Sequence, residues 1–286
     1  MASEKEHLQL PYKDLPPDPQ QKWSAPKAPK DRHLSTEFCP FSEYQNMRKR
    51  IGGNNTFFPR SNFASEHYEA LLNDPVMKAL KDDYTFTPFS MEPDSILFLK
   101  DAITMFKPQV VLELGSGIST PILASAQKEQ FKAGGKVQPI YVTIDQSQDY
   151  LDQTMALVKK VGADDIVKPL LFPMCYYKVG NQTGKDQQVF ACYDFDEQKL
   201  HEACGGVKPD MIIVDGPTGG GEKGYTFARM LTIPILSQYA ADDAVYFMDD
   251  AYRDTEALEM QRWAETRSAN VLGIKAVGKG LMIALK

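Results

Sequence analysis

The feature that most constrains this chain is a repeated hand-over between two rhythms. Short, mostly apolar runs, in "QVVLEL", "QPIYVTID", "DMIIVDGP" and "AVYFMDD", alternate with longer stretches whose apolar residues recur at helical spacing. The longer ones include "PDSILFLKDAITMF", "TPILASAQKEQF", "QDYLDQTMALVKKVG" and "DTEALEMQRWAETR". A short apolar run suits a strand buried on both faces, and parallel strands need helical crossovers between them. The alternation therefore predicts an α/β fold built on a doubly wound, mainly parallel sheet. Asp94 is the expected N-cap of the first of these helices, and Gly162 the residue that closes the third. "IVKPLLF" reads as a further strand, the stretch after it as irregular, "YTFARMLTIPILSQY" as helix, and "NVLGIKAV" and "GLMIALK" as two closing strands.

The rest of the chain divides by composition. Residues 1–35, rich in Pro, Lys, Asp and Gln, cannot bury enough apolar area to offset their ordering entropy and read as an extended or disordered arm. Trp23 is a candidate anchor for it. Residues 36–84 read as a helical preface, and residues 85–286 as the catalytic domain. With a formal charge of −6, the chain does not attract phosphate backbones or anionic lipid, so neither nucleic acid nor membrane is an expected partner. Four widely spaced cysteines (Cys39, Cys175, Cys192, Cys204) suit free thiols in a reducing compartment better than a zinc site. The first residues have no apolar core of a secretory signal, and no apolar run is long enough to span a bilayer. These points favour a cytoplasmic location.

Function enters where the strands end. Glu113, Asp145, Asp215, Asp249 and Asp250 all fall at the C-terminal end of an expected strand, the edge where open α/β sheets bind ligands. A single carboxylate there is usually a helix cap; five at one edge ask for more. "GSGIST" follows Glu113, with two glycines for a sharp turn and close ligand approach, then a helix N-terminus with free N–H groups. A dinucleotide loop asks for G-x-G-x-x-G, and here the third position is Thr120. A carboxylate beside the loop repels a pyrophosphate and welcomes a ligand with an ammonium end.

"VVLELGSGIST" together with "YVTIDQS" resembles the opening motifs of class I S-adenosylmethionine-dependent methyltransferases. The resemblance covers roughly residues 85–286, and "TFTPFSMEPDSILFL" is similar to the segment that leads into the first strand of bacterial members. It implies a seven-stranded Rossmann-like sheet. It also implies S-adenosylmethionine as cofactor, with Glu113, Gly115, Ser116 and Gly117 forming the loop around the methionine moiety and Asp145 taking the ribose hydroxyls.

The same resemblance places Asp215, in "VDGP", and the pair Asp249–Asp250, in "DDAYR", where metal-dependent O-methyltransferases carry their acidic ligands. Three carboxylates suit Mg²⁺ or another divalent cation, which lowers the pKa of an acceptor hydroxyl. Without a cation their field would raise that pKa, so the cluster needs an ion, or its members face elsewhere or act as bases. Gly216, Pro217 and Thr218 replace the His and Lys that catechol-type enzymes carry after the first Asp. Lys223, in the glycine-rich "GPTGGGEKG", is a candidate substitute on a mobile acceptor loop; Arg229 and Arg253 could bind an acidic acceptor or pair with nearby carboxylates. Tyr193 and Asp194 are candidates for shaping the pocket, and the four histidines fall outside the motifs. The expectation is O-methylation of a small-molecule or sugar hydroxyl by a protein that is a candidate homodimer. The alternatives are a NAD-type oxidoreductase, and a protein that binds S-adenosylmethionine without turnover.

Overall fold

The computed structural model describes residues 12–14, 38–40, 66–87, 89–132, 138–179, 188–218, 227–275 and 277–286. In chain order the strands are β1 (Tyr12–Asp14), β2 (Phe38–Pro40), β3 (Val110–Leu114), β4 (Ile140–Asp145), β5 (Val167–Leu171) and β6 (Met174–Val179). They continue as β7 (Gln188–Tyr193), β8 (Met211–Val214), β9 (Val245–Met248), β10 (Asn270–Lys275) and β11 (Leu281–Leu285). The helices are α1 (Glu66–Asn73), α2 (Pro75–Leu80), α3 (Pro93–Phe106), α4 (Ser119–Lys132), α5 (Gln148–Lys160), α6 (Glu197–Ala203), α7 (Thr232–Leu236) and α8 (Asp254–Glu265).

The main sheet runs β2-β10-β11-β9-β8-β3-β4-β5. From β9 to β5 all neighbours are parallel, and β11, β10 and β2 join antiparallel. Seven of these strands form the expected mainly parallel sheet; the eighth, β2, is added at the edge from the preface. A second, three-stranded sheet has the order β1-β6-β7, with β1 parallel to β6. The stretch expected to be irregular therefore holds the antiparallel β6–β7 pair and α6. The expected helix around residues 225–239 is also shorter, a five-residue α7 preceded by turns. Phe227, with φ of 58°, is left-handed, which no helix interior tolerates, and Pro234 removes an N–H donor.

Strand β3 shows how sequence becomes site. All five residues are buried, and side chains alternate between faces: Val110, Leu112 and Leu114 join one core, Val111 the other. Glu113 falls on the Val111 side. At the other end of the strand, Gln109 and Val110 N–H donate to Asp210 at 2.8 and 2.9 Å, tying the starts of β3 and β8 together. Helix α3 enters through Pro93 at its first turn and stops at Lys107, left-handed at φ 50°. Its N-cap is Glu92, not Asp94; Asp94 is the second residue of the helix and accepts from the Gly278 N–H at 2.7 Å. Gly162, at φ 68°, follows the C-cap of α5 as its sequence position suggests. Among the described residues no helix is long and apolar enough to cross a membrane. Cys175, Cys192 and Cys204 are buried and stand outside any disulfide.

Candidate active site

The chain reverses its direction of travel across the sheet between β3 and β8, and the loops that leave these strands meet there. Gly115 is at φ 93°, and a Cβ on it would lie 3.0 Å from the Asp215 carbonyl carbon and the Gly216 nitrogen. A Cβ on Gly216 would lie 2.8 Å from the Gly115 nitrogen and 2.4 Å from the Tyr193 hydroxyl. Each glycine exists for the other's backbone. Around Gly117, by contrast, an added Cβ meets nothing within 4 Å, so this side of the loop is open. Such a crevice, at the carboxyl ends of strands and at a topological switch point, is where open α/β sheets hold ligands.

Two carboxylates shape the loop. Asp145, at the end of β4, accepts from both the N–H and the hydroxyl of Ser116 at 2.9 Å through one oxygen, and from the Ser147 N–H at 2.9 Å through the other. The structure thus brings the expected ribose-binding residue directly to the glycine loop. Glu113 sits differently. It is wholly buried, and its two oxygens accept from the Ser119 and Thr120 hydroxyls, each at 2.6 Å. Burial pushes its pKa up to about 7, against the opposing hydrogen bonds from Ser119, Thr120, Tyr141 and Thr143. Thr120, the residue that replaces a third glycine, thus helps hold the first turn of α4 against β3. With both oxygens occupied, Glu113 supports the loop from behind, and its charge argues less against a pyrophosphate than the sequence suggests.

The second group lies at the ends of β8 and β9. Asp215, Asp249 and Asp250 each offer an oxygen within 4.8 Å of the others. Asp250 adopts a left-handed φ of 61°, unusual for a residue with a side chain. The three carboxylates are not unopposed. Arg229, 3 % exposed, donates to the main-chain oxygens of Asp215 (2.7 Å) and Asp249 (2.9 Å), and reaches the carboxylates of Asp250 (3.2 Å) and Asp215 (3.4 Å). Its own N–H donates to Glu259 of α8 at 3.1 Å. Arg253 lies 2.8 Å from Asp250, and the Lys279 ammonium 3.2 Å from the other Asp250 oxygen. Arg229 is enclosed by these partners, while Arg253, 37 % exposed, pairs with Asp250 and Glu256 through one nitrogen.

These partners split the titration of the cluster. Burial and the neighbouring Asp250 push Asp249 up to about 7. Burial and Asp249 push Asp215 well above the carboxylate range. Burial also disfavours charge on Asp250, but Arg229, Lys279 and Arg253 outweigh it and hold that carboxyl below its usual value. For Lys279, burial opposes the charge while Asp250, Asp249 and Asp215 outweigh it, so its pKa is raised.

The donor chemistry of the three carboxylates suits a hard divalent cation, but their surroundings do not. Both Asp250 oxygens already face cations, and Lys279 stands at the cluster. Sequence reasoning missed Lys279, Glu256 and Glu259. Lys279 lies outside every motif, in the turn between β10 and β11, and only the closing of the sheet brings it here. The signal was the flanking Gly278 and Gly280. Both have positive φ, and a Cβ would collide with Ser95 (2.4 Å) and the Tyr252 ring (2.7 Å). Tyr193 is buried beneath the loops, against Gly216. Lys223 and most of the glycine-rich loop lie outside the described residues, as do Trp23, His7 and His33.

No family model matches this sequence, and no curated protein does. Solved structures do. TomG from Streptomyces achromogenes, an O-methyltransferase involved in Tomaymycin synthesis and crystallised with SAM, is 14% identical with a TM-score of 0.52. The match covers 80% of this chain and 98% of TomG. The chain has a methyltransferase fold. An O-methyltransferase from Bacillus cereus in complex with SAH is 14% identical at a TM-score of 0.47, over 77% of this chain and 90% of that one. This weaker match adds nothing to the fold assignment. In the methyltransferase fold of this chain, the glycine loop, Asp145 and the carboxylate cluster occupy one edge of the sheet.

Proposed function

We propose that the protein is an S-adenosylmethionine-dependent O-methyltransferase acting on a hydroxyl of a small molecule or sugar. The observation that carries this reading is the switch-point crevice, where Gly115 and Gly216 pack backbone to backbone, Gly117 leaves open space, and Asp145 sits beside the loop. Gly115, Ser116 and Gly117 line the methionine end of the cofactor and Asp145 accepts from its ribose hydroxyls. Glu113 acts on the cofactor indirectly, by fixing Ser119 and Thr120 and through them the loop.

The acceptor approaches over the ends of β8 and β9. Its oxygen attacks the sulfonium methyl group in line, the carbon–sulfur bond breaks, and S-adenosylhomocysteine leaves. The hydroxyl proton passes to the cluster, with Asp215, its partly exposed member, the first candidate to receive it; the raised pKa makes the ionised carboxylate a stronger base, and the proton it holds at rest has to leave first. Asp249 and Asp250 position Asp215 and its cations. No step requires a divalent ion, which would have to displace Lys279. The acidic net charge argues against nucleic acid or anionic membrane as a partner, which leaves a small-molecule acceptor; the sparse, widely spaced cysteines favour a cytoplasmic enzyme, and a homodimer is the candidate assembly.

Calorimetry with S-adenosylhomocysteine and with NAD tests the reading. The alternative of a NAD-type oxidoreductase keeps its place because Glu113 is turned away from the loop. Saturable binding of S-adenosylhomocysteine, with none for NAD, is the expected result.

A further inference from the structure

We propose that the Lys279 ammonium is a tethered cation that takes the place of a divalent ion at the Asp215–Asp249–Asp250 cluster. The three carboxylates converge closely enough to bind one ion. Asp249 is fully buried, and its Oδ2 has no hydrogen-bond partner, so an oxygen suited to a cation is present and unused by the protein. Asp249 Oδ1 faces the Ser95 hydroxyl at 3.4 Å. Arg229 approaches the group from beneath, through the main-chain oxygens of Asp215 and Asp249, and is 3 % exposed. Lys279, 20 % exposed, and Arg253, 37 % exposed, are the cations within reach of an incoming ligand; Arg253 is shared between Asp250 and Glu256, while Lys279 faces the second Asp250 oxygen.

The lysine is held in place by its backbone. Gly278 N–H donates to Asp94 at the start of α3, Tyr252 N–H donates to the Lys279 carbonyl at 3.1 Å, and Ala251 N–H donates to the Gly280 carbonyl at 2.9 Å. The ammonium itself reaches the Ser90 carbonyl at 3.4 Å as well as Asp250. A turn pinned on three sides thus aims one charge at the Asp250 oxygen that neither Arg229 nor Arg253 faces. An ammonium there offsets the carboxylate field and can donate a hydrogen bond to the acceptor oxygen, and it excludes a second cation by repulsion and by occupying Asp250.

This inference rests on the proposed methyltransferase reading for its acceptor, but its test does not. Mn²⁺ titration, followed by electron paramagnetic resonance of the free ion, is made on the full chain and on Lys279→Ala and Lys279→Met. The Met variant keeps the apolar stem of the side chain in case truncation unfolds the turn. The wild type is expected to show no saturable Mn²⁺ site in the range where the variants do. Removing the charge should tighten Mn²⁺ binding by at least about tenfold, since it removes a like charge from the site and frees an Asp250 oxygen. Equal Mn²⁺ affinity in wild type and folded variants, or no binding in any of them, would overturn the proposal. S-adenosylhomocysteine binding, measured on the same samples, separates the two ideas. Its absence would sink the methyltransferase reading and leave the Mn²⁺ result standing.

Discussion

Glu113 shows how a residue can be recognised by position and still be misread in direction. Its place before the glycine loop suggests a charge offered to a ligand, yet the period-two alternation of β3 turns it into the core, where Ser119 and Thr120 take both oxygens. The consequence is a pH signature. The folded carboxyl keeps its proton up to about pH 7, while the ordinary value is 4.5. The stability it contributes is therefore complete below 4.5 and is lost as pH rises through about 7. Asp249 acts in the same sense, and Asp250, with its lowered value, in the opposite one. Glu113→Gln should make the melting temperature less dependent on pH between about 5 and 8, with the variant gaining most relative to wild type at the alkaline end. Parallel pH curves for the two proteins would show that the proton is not held there. Asp145→Ala should weaken S-adenosylhomocysteine binding by about 1–3 kcal/mol, the range for hydrogen bonds to a charged group. An unchanged dissociation constant in a folded protein would remove Asp145 from the site.

At the scale of elements, the strands and helices that could be read were those whose rhythm is decided by burial. Strands β3, β4, β8 and β9 are apolar runs because both faces are covered, and α3, α5 and α8 show the stripe that packs on them. What was hidden is instructive. In β6 and β7, Tyr, Cys, Lys and Gln mix with apolar residues, since the pair forms a separate small sheet, and this blurs the pattern. The segment before α7 looks helical by spacing but must return Arg229 beneath the ends of β8 and β9, which requires turns. Arg229 joins those strand ends to α8, and loss of its side chain removes the buried cation shared by Asp250 and Glu256, while the main-chain bond to Glu259 remains. Arg229→Met should therefore destabilise the protein by about 3–5 kcal/mol in urea unfolding, the cost of breaking a buried ion pair from one side. A loss below about 1 kcal/mol would mean that these carboxyls are neutral in the folded state.

Across the whole molecule, the two sheets divide the work. The main sheet carries the glycine loop, Asp145 and the carboxylate cluster, while the small one pairs a segment of the arm, β1, with β6. Deleting residues 1–30 removes β1 and should expose the main-chain groups of Tyr176, Tyr177 and Lys178 to faster hydrogen exchange while leaving cofactor affinity intact. Weaker S-adenosylhomocysteine binding after the deletion would tie the arm to the site. The glycine-loop half of the candidate site was legible in the sequence because the loop is local, from Glu113 to Thr120 with Asp145 one crossover away. The cationic half was not, because Lys279 and Arg229 reach the carboxylates only through long-range closure of the sheet. The central claim is that the switch-point crevice holds S-adenosylmethionine. Calorimetric titration of the full chain with S-adenosylhomocysteine, with NAD in parallel, tests it most directly: the account predicts saturable binding of the first and none of the second, and NAD binding without any for S-adenosylhomocysteine would contradict it.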